Sequence, residues 1–282
     1  GVPYTYYQWG IYYNKDAYAK AGAEVPETYE DFVANCALFK DAGIDCLTTG
    51  TKALWPGAGI FDYMNLRTNG YEFHMDLANG KVPWTDDRVR ATFAEWAKLV
   101  EPGYITDNHA ALDWQDAASQ LVQGTAANYV MGNFAVAVFK EGGMTNDTLG
   151  FMPFPTINPD VPRAEEAPTD TIHLTAGATN VEDAKAFLAY MAGADAQTKM
   201  NAAMGQLPIN KDASVAADDP FISAGFELLS TTPGGIAQFF DRDAPAEMAK
   251  IGMEGFQQFM VQPDQLDNIR ERLEKARQRI YA

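Results

Sequence analysis

Aromatic side chains are concentrated at the beginning of the sequence, where six aromatic residues fall between Tyr4 and Tyr13. Their alternation predicts one β-strand reaching Ile11, with Tyr6 on one face and Tyr7 and Trp9 on the other. The flat faces of a sugar ring are apolar and its rim carries hydroxyls, so aromatic rings beside amide and hydroxyl groups suit stacking on a pyranose. Tyrosine and tryptophan also favour strands, and the same rings are equally compatible with a buried core.

A second group of side chains that could bind a ligand is the charged triplet Asp241-Arg242-Asp243. A guanidinium donates hydrogen bonds in a planar fork and a carboxylate accepts them, so Asp241 and Arg242 together could grip neighbouring hydroxyls of a polyol. Arg242 could equally bind an anionic sugar. The alternative is a helix N-cap with a local ion pair, which suits Asp243 before Ala244 and Pro245.

Composition excludes several other functions. The formal net charge of −17 and the pI near 4.5 argue against binding a phosphate backbone, so no nucleic-acid partner is expected. No apolar run reaches the roughly 18 residues of a membrane span, and the nucleotide, zinc-protease and serine-hydrolase motifs do not occur. Cys36 and Cys46 lack the partners of a zinc site, and the sequence leaves open whether they form a disulfide or stay free. No cofactor or metal is expected.

The elements that position these residues alternate between short apolar runs and amphipathic helical patterns. Thr28, the run Thr85–Asp87 and Asn180 are predicted to cap helices, and the chain is expected to turn from strand to helix at Asn14. The patterns predict strands over Cys46–Gly50, Ala126–Met131, Leu149–Pro153 and Asp170–Ala176, and helices that include Asp113–Gln123, Ala194–Met204, Ala244–Val261 and Asp264–Tyr281. The polar segment Asn158–Thr169 has neither pattern.

Taken in order, three motifs carry a resemblance to a known family. They are Gly-Val-Pro-Tyr with Trp-Gly-Ile-Tyr-Tyr-Asn-Lys (within 1–15), Asn-Tyr-Val-Met-Gly-Asn-Phe (128–134) and Phe-Met-Pro-Phe-Pro-Thr (151–156). With the element order along the whole chain, the sequence resembles the extracellular solute-binding proteins of carbohydrate ABC transporters, the maltose-binding-protein-like family. The resemblance implies an α/β, periplasmic-binding-protein-like (type II) fold with two lobes joined by hinge crossings. It also implies a periplasmic or extracellular monomer that binds a sugar or oligosaccharide, delivers it to membrane permease subunits and is not an enzyme.

The resemblance also nominates ligand-binding residues. Phe134 matches the position of a stacking tryptophan in maltose-binding protein, and Asn133 precedes it at the start of a helix. Trp55, with Asp62 after it, belongs to a loop that related proteins bring to the cleft, and Asp170 and His173 flank the expected hinge strand. Together with the residues named above, the candidate ligand-binding set is Tyr6, Tyr7, Trp9, Trp55, Asp62, Asn133, Phe134, Asp170, His173, Asp241 and Arg242.

The family organisation predicts how the chain is divided. Residues 1–169 are expected in the second lobe, 170–235 in a segment returning to the first lobe, and 236–282 in helices that pack back on the second lobe. Members of the family begin with a first-lobe segment on the order of a hundred residues, which this sequence does not contain. The first lobe is therefore expected to be incomplete, and sugar binding by this chain alone to be weak.

Two other functions remain open at the level of sequence. A glycoside hydrolase also combines aromatic rings with paired carboxylates, for which Asp62, Asp170 and Asp241 are the candidates. A binding protein for a polyamine or peptide would use more exposed acid in its cleft.

Overall fold

Strands and helices alternate as far as Met152, after which helices dominate. The computed structural model describes residues 1–215 and 218–282. Within these residues the strands are β1 Val2–Tyr6, β2 Trp9–Asn14, β3 Asp45–Thr48, β4 Ala126–Gly132, β5 Leu149–Met152, β6 Glu165–Glu166, β7 Thr169–Ile172, β8 Leu207–Pro208 and β9 Ile236–Ala237. The α-helices are α1 Lys15–Ala21, α2 Tyr29–Asp41, α3 Trp55–Asn69, α4 Tyr71–Ala78, α5 Asp87–Val100, α6 Trp114–Gln123, α7 Ala135–Glu141, α8 Val181–Met191, α9 Ala194–Met204, α10 Pro220–Thr231, α11 Phe240–Asp243, α12 Ala246–Val261 and α13 Leu266–Ile280.

The strands form a larger sheet, a smaller sheet and a separate two-stranded ladder. The larger sheet has the order β3-β4-β2-β5, and the smaller sheet has the order β7-β1-β8. In the larger sheet β2 runs antiparallel to β4 and β5, whereas β3 is parallel to β4. The two-residue strands β6 and β9 pair with each other in parallel. Strand β6 lies within Asn158–Thr169, the segment that was predicted to have no regular structure. The sequence did not reveal this strand because two residues are too few to form a periodic pattern.

The prediction of one continuous aromatic strand is wrong. The chain leaves the smaller sheet after Tyr6 and enters the larger sheet at Trp9. Gln8 lies buried at this crossing. Its side-chain Nε2 donates to the backbone carbonyl of Phe221 at 2.9 Å, and its backbone carbonyl accepts from Asn133 N at 3.0 Å. Two aromatic runs that read as one strand thus belong to two sheets.

Several helix starts follow from local side-chain chemistry. The side chain of Asn14 accepts from Ala17 N at 3.0 Å, and that of Thr28 accepts from Asp31 N at 3.2 Å. Asp86 caps α5 in the same way, through Arg88 N at 2.9 Å. Such caps satisfy backbone N–H groups that have no partner inside the helix, and the predicted caps at Thr28 and within Thr85–Asp87 are confirmed. Asn180 precedes α8 as predicted, but its side chain makes no cap hydrogen bond.

Helix α3 runs through the main core, where the ring of Phe61 stacks on Phe256 of α12 with centroids 4.0 Å apart. A disulfide between Cys36 and Cys46 ties α2 to β3 and answers the question that the sequence left open. Among the described residues, no helix has both the length and the apolar character required to cross a bilayer.

The predicted division of the chain does not coincide with the sheets at its first residues. Strand β1 pairs with β7 and β8, so Val2–Tyr6 lie with the segment that follows residue 169. Strand β2 and the rest of the larger sheet lie within the predicted 1–169 unit. The assignment of these parts to lobes stays a prediction.

Candidate functional site

Five separate segments surround one cavity of about 270 Å³. They are the crossing between β1 and β2, the start of α3, the turn between β4 and α7, the link from β6 to β7, and the link from β9 into α11. The lining residues are Tyr7, Trp9, Trp55, Phe134, Pro168, Asp170, Phe239, Asp241 and Arg242. The cavity therefore joins residues from both ends of the chain.

The rings in this cavity contact one another edge to face. Trp9 lies 6.0 Å from Trp55 and 6.3 Å from Phe134 between ring centroids. Tyr7 meets Phe134 at 5.3 Å with the two planes at 89°. Trp9 also packs on Phe239, with centroids 4.9 Å apart. Edge-to-face contacts fix the orientation of each ring, so the aromatic wall is formed before any ligand arrives.

Two glycines allow the Trp9 and Phe134 rings to pack closely against the backbone. A Cβ at Gly59 of α3 would lie 2.6 Å from the Trp9 ring, and a Cβ at Gly132 would lie 2.5 Å from the Phe134 ring. Both distances are shorter than side chains tolerate, so a residue without a side chain is needed at each place. The close approach lets the Trp9 ring pack directly on the backbone of α3.

Arg242 organises the polar side of the cavity. Its Nη2 lies 2.9 Å from Asp170 Oδ1, and its Nη1 donates to the carbonyl of Thr169 at 2.8 Å. The hydroxyl of Tyr7 lies 3.4 Å from both Asp170 Oδ1 and Arg242 Nη2. Burial raises the pKa of Tyr7 to about 12, so this phenol keeps its proton at neutral pH. The network links β7 to α11 across the cavity wall.

Two polar atoms of lining residues have no hydrogen-bond partner among the described residues. One is the indole Nε1 of Trp9, which is 2% exposed, and the other is Oδ1 of Asp241. The nearest cation to Asp241 Oδ1 is Arg242 Nε at 4.0 Å, which is too long for a hydrogen bond. Burial raises the pKa of Asp241 above its ordinary value. A buried donor and a buried acceptor without partners are costly, and both belong to residues that line the cavity.

Four predicted site residues lie outside the cavity lining. Tyr6 packs on the apolar cluster of Ala167, Leu207, Ile222 and Leu229. His173 is exposed, with its Nε2 2.6 Å from Thr171 Oγ1. It lies three positions after Asp170, and an odd separation along an extended chain points the two side chains to opposite faces.

Asn133 and Asp62 are buried, and both form hydrogen bonds with other segments of the chain. The side-chain oxygen of Asn133 accepts from the hydroxyl of Tyr12 at 2.9 Å, and its amide donates to the carbonyl of Gly205. The Asp62 carboxylate accepts from Phe240 N at 2.8 Å and does not line the cavity. Both residues support the segments that carry lining residues instead of lining the cavity themselves.

Pro168 and Phe239 line the cavity but were not among the sequence candidates. Phe239 stands two positions before the predicted Asp241, so proximity to the charged triplet was the available signal. No sequence signal marks Pro168, whose place depends on the pairing of β6 with β9.

Trp55 is held at the cavity by an unusual backbone turn. Leu54 has φ 68° and ψ −47°, a combination that residues with a side chain rarely adopt. Trp55 N donates to the carbonyl of Ala53 at 2.8 Å, which closes a γ-turn around Leu54, and Leu54 N donates to the carbonyl of Thr51 at 2.8 Å. The turn sets the direction in which Trp55 enters α3.

Strain at this turn is testable by comparing two variants at Leu54. We expect Leu54→Gly to unfold with a free energy about 1 kcal/mol higher than Leu54→Ala, because glycine relieves roughly 1–3 kcal/mol of strain and loses about 0.5–1 kcal/mol in backbone entropy. Both variants lose the leucine side chain, so urea unfolding of the pair isolates the backbone. An alanine variant at least as stable as the glycine variant would contradict the strain.

The cavity lining supplies aromatic rings, a guanidinium and carboxylates, the kinds of group that contact the apolar faces and the hydroxyls of a polyol. Among residues 1–215 and 218–282 no group of three or more His, Cys, Asp or Glu side chains is placed to hold a metal ion.

Comparison with known proteins defines the class of protein. The family model of bacterial extracellular solute-binding proteins matches residues 2–198. The chain therefore belongs to this family, as the sequence resemblance predicted, and the expected α/β, periplasmic-binding-protein-like (type II) fold is confirmed.

Three individual proteins illustrate the relationship. An uncharacterized ABC transporter extracellular-binding protein of Pyrococcus horikoshii is 28% identical over 225 residues, which are 79% of this chain and 49% of that protein. A probable sugar-binding periplasmic protein of Mesorhizobium japonicum is 32% identical over 140 residues, 49% of this chain and 33% of that protein. The bacterial solute receptor AcbH, whose crystal structures are described with an exclusive preference for β-D-galactopyranose, matches with a TM-score of 0.89 and 29% identity over 100% of this chain and 72% of the receptor chain. The chain thus spans about half the length of the Pyrococcus protein and about a third of the Mesorhizobium protein.

Proposed function

We propose that this protein binds a sugar, as a monosaccharide or as the end unit of an oligosaccharide, in the cavity between Tyr7, Trp55 and Arg242. The observation that carries the proposal is the meeting of five aromatic rings and an Asp–Arg pair in one cavity. The volume of about 270 Å³ lies just below the common range of about 300–1,000 Å³ for small-molecule sites and favours one sugar ring over a long chain. The preference described for AcbH supports a hexopyranose.

The charges of the cavity favour a neutral sugar. One guanidinium, that of Arg242, faces two carboxyl groups, those of Asp170 and Asp241. Because Arg242 is already paired, a sugar carboxylate would meet an acidic surface without a free cation. The proposal therefore favours a neutral sugar over the anionic sugar that the sequence also allowed.

The same proposal includes delivery to the permease subunits of an ABC transporter in a periplasmic or extracellular compartment, by a monomer that does not act as an enzyme. The names of the relatives as extracellular-binding and sugar-binding proteins support it. A sugar that contacts segments from both sheets would favour the closed arrangement in proportion to its affinity difference between the two states. The Asp and Arg groups of the cavity then serve as hydrogen-bonding groups and not as catalysts.

The test is a thermal-shift series of the purified protein with galactose and other neutral hexoses, against galacturonic acid. At a ligand concentration of 100 times the dissociation constant, a sugar that binds only the native state stabilises it by about 2.7 kcal/mol. We expect a higher melting temperature with at least one neutral hexose and a smaller shift with the uronic acid. Tryptophan fluorescence, reporting on Trp9 and Trp55, checks that the ligand enters the cavity.

Galacturonic acid is the matched control, since it differs from galactose only by the carboxyl group. A stronger shift with the acid would overturn the preference for neutral sugars. Release of reducing ends from oligosaccharides would support the hydrolase instead, and a response to polyamines or peptides without one to sugars would replace the sugar ligand.

A further inference from the structure

Two carboxyl groups face each other inside the protein next to the segment that carries Asp241. Asp62 of α3 and Glu166 of β6 are both fully buried, and each carboxyl group shifts the pKa of the other, which places them side by side. If both were ionised, Asp62 Oδ1 and the two side-chain oxygens of Glu166 would have no donor among the described residues. Two carboxylates cannot both stay charged in such a place, so the pair retains a proton that supplies the missing donor.

The pair connects three segments that lead to the cavity. Asp62 Oδ2 accepts from Phe240 N at 2.8 Å, and Phe240 is the first residue of α11, which carries Asp241 and Arg242. Glu166 belongs to β6, which pairs with β9 immediately before α11 and leads to Asp170 in the other direction. Asp62 on α3 thus contacts the start of α11 directly, and Glu166 beside it belongs to the ladder that leads to both polar segments of the cavity.

We propose that Asp62 and Glu166 are positioning residues whose shared proton holds β6 and the start of α11 against α3 and thereby fixes Asp241 and Arg242 for the ligand. The proposal rests on the proposed sugar-binding function for its affinity measurement. Neither residue lines the cavity, so their effect on the ligand passes through Phe240 and through the β6–β9 ladder.

The surroundings leave ionisation of the pair uncompensated. The charged or titratable groups that face it are Tyr63 and Arg67 from α3, Glu165 from β6, and Asp241 and Asp243 from α11. Arg67 is the cation of this set, and its Nη2 is bound to Glu165 at 2.8 Å. Loss of the shared proton would therefore add negative charge beside other acids.

The direction of the pH dependence follows from the raised affinity for the proton. Burial raises the pKa of Asp62 to about 8, and that of Glu166 is also raised. An unfolded aspartate has a pKa of about 3.9, so the folded protein binds more protons between these two values. The contribution of the protonated pair to the free energy of unfolding is complete below about pH 4 and is lost as pH rises through about 8.

The experiment measures sugar affinity and urea unfolding at pH 6, 7, 8 and 9 for the natural protein and for Asp62→Asn. An asparagine donates through its amide to Glu166, accepts from Phe240 N and cannot ionise. We expect the natural protein to lose sugar affinity by about fivefold between pH 7 and 9, whereas Asp62→Asn keeps a constant affinity. Glu166→Gln is the second variant if Asp62→Asn does not fold. Asp195→Asn, a change of an exposed carboxyl group, is the matched control and keeps the natural pH profile.

Two results would overturn the proposal. One is an equal fall in affinity in the natural protein and Asp62→Asn, and the other is a pH-dependent stability with constant affinity, which marks a purely structural pair. If the natural protein binds no sugar at any pH, the proposed function fails, and hydrogen exchange of the Phe240 amide decides the positioning role separately. Corrected for intrinsic exchange, its protection is expected to fall between pH 7 and 9 in the natural protein and to stay constant in Asp62→Asn.

Discussion

Replacing Arg67 by methionine is expected to lower the free energy of unfolding by about 3–5 kcal/mol, because it leaves a buried carboxylate without its main partner. The Arg67 and Glu165 side chains are 2% and 0% exposed, and they meet at 2.8 Å. Arg67 Nε also donates to the carbonyl of Phe154 at 3.0 Å, and its Nη1 donates to that of Ala164. Methionine replaces the aliphatic part of the arginine side chain but supplies none of these donors. Urea unfolding of both proteins measures the difference.

A surface pair provides the control for this prediction. Lys199 and Asp195 meet at the same 2.8 Å, but their side chains are 71% and 75% exposed. Lys199→Met is expected to unfold like the natural protein, because water already screens the pair. Glu165 keeps Arg163 as a half-exposed partner at 3.1 Å, which places the loss nearer the lower end of the range. A loss for Arg67→Met no larger than that for Lys199→Met would mean that burial does not strengthen the pair.

Removal of the Trp55 ring is expected to weaken sugar binding by about tenfold. The ring forms part of the cavity wall and contacts Trp9, Phe134 and Trp114 at 6.0, 6.2 and 6.4 Å between centroids. Loss of an aromatic contact of this kind removes about 1–2 kcal/mol, and 1.4 kcal/mol corresponds to tenfold in affinity. Isothermal titration of Trp55→Ala with the sugar found in the thermal-shift series gives the affinity directly.

The matched control is Tyr190→Ala. Tyr190 is also an aromatic residue in a helix, but it is 60% exposed on α8 and does not line the cavity. Its removal is expected to leave the affinity unchanged. If Trp55→Ala binds sugar as tightly as Tyr190→Ala, Trp55 is a structural residue and leaves the proposed site. Intact unfolding free energy in both variants ensures that a lower affinity is not a loss of fold.

Elements with strong local signals were predicted closely from the sequence. Helix α9 has the predicted bounds Ala194–Met204, and α2 begins at the predicted cap Thr28. Helices α4 and α10 were missed, although Asp219 caps α10 by accepting from Phe221 N and Ile222 N, and Pro220 occupies its first position. That cap was a usable signal, because proline is well suited to the first turn of a helix.

The candidate site was predictable as a list of residue types and not as a surface. Seven of the eleven nominated side chains lie around one cavity, which agrees with their chemistry but leaves their contact with a ligand a prediction. Asp62 and Asp241 could not be told apart from the sequence, since both are acids beside aromatic residues. The structure separates them, because Asp62 is bound to Phe240 N away from the cavity whereas Asp241 lines the cavity.

The family, the α/β alternation, most helix caps and the aromatic and acidic residues available for a sugar could all be predicted from the sequence. These properties reside in periodicity and in hydrogen bonds between residues a few positions apart. The tertiary structure alone decided that Tyr6 and Tyr7 belong to different environments, that Cys36 and Cys46 are joined, and that Tyr7 and Arg242, 235 positions apart, share one cavity. Such distant contacts depend on how sheets and helices pack against each other, and no local pattern encodes that packing.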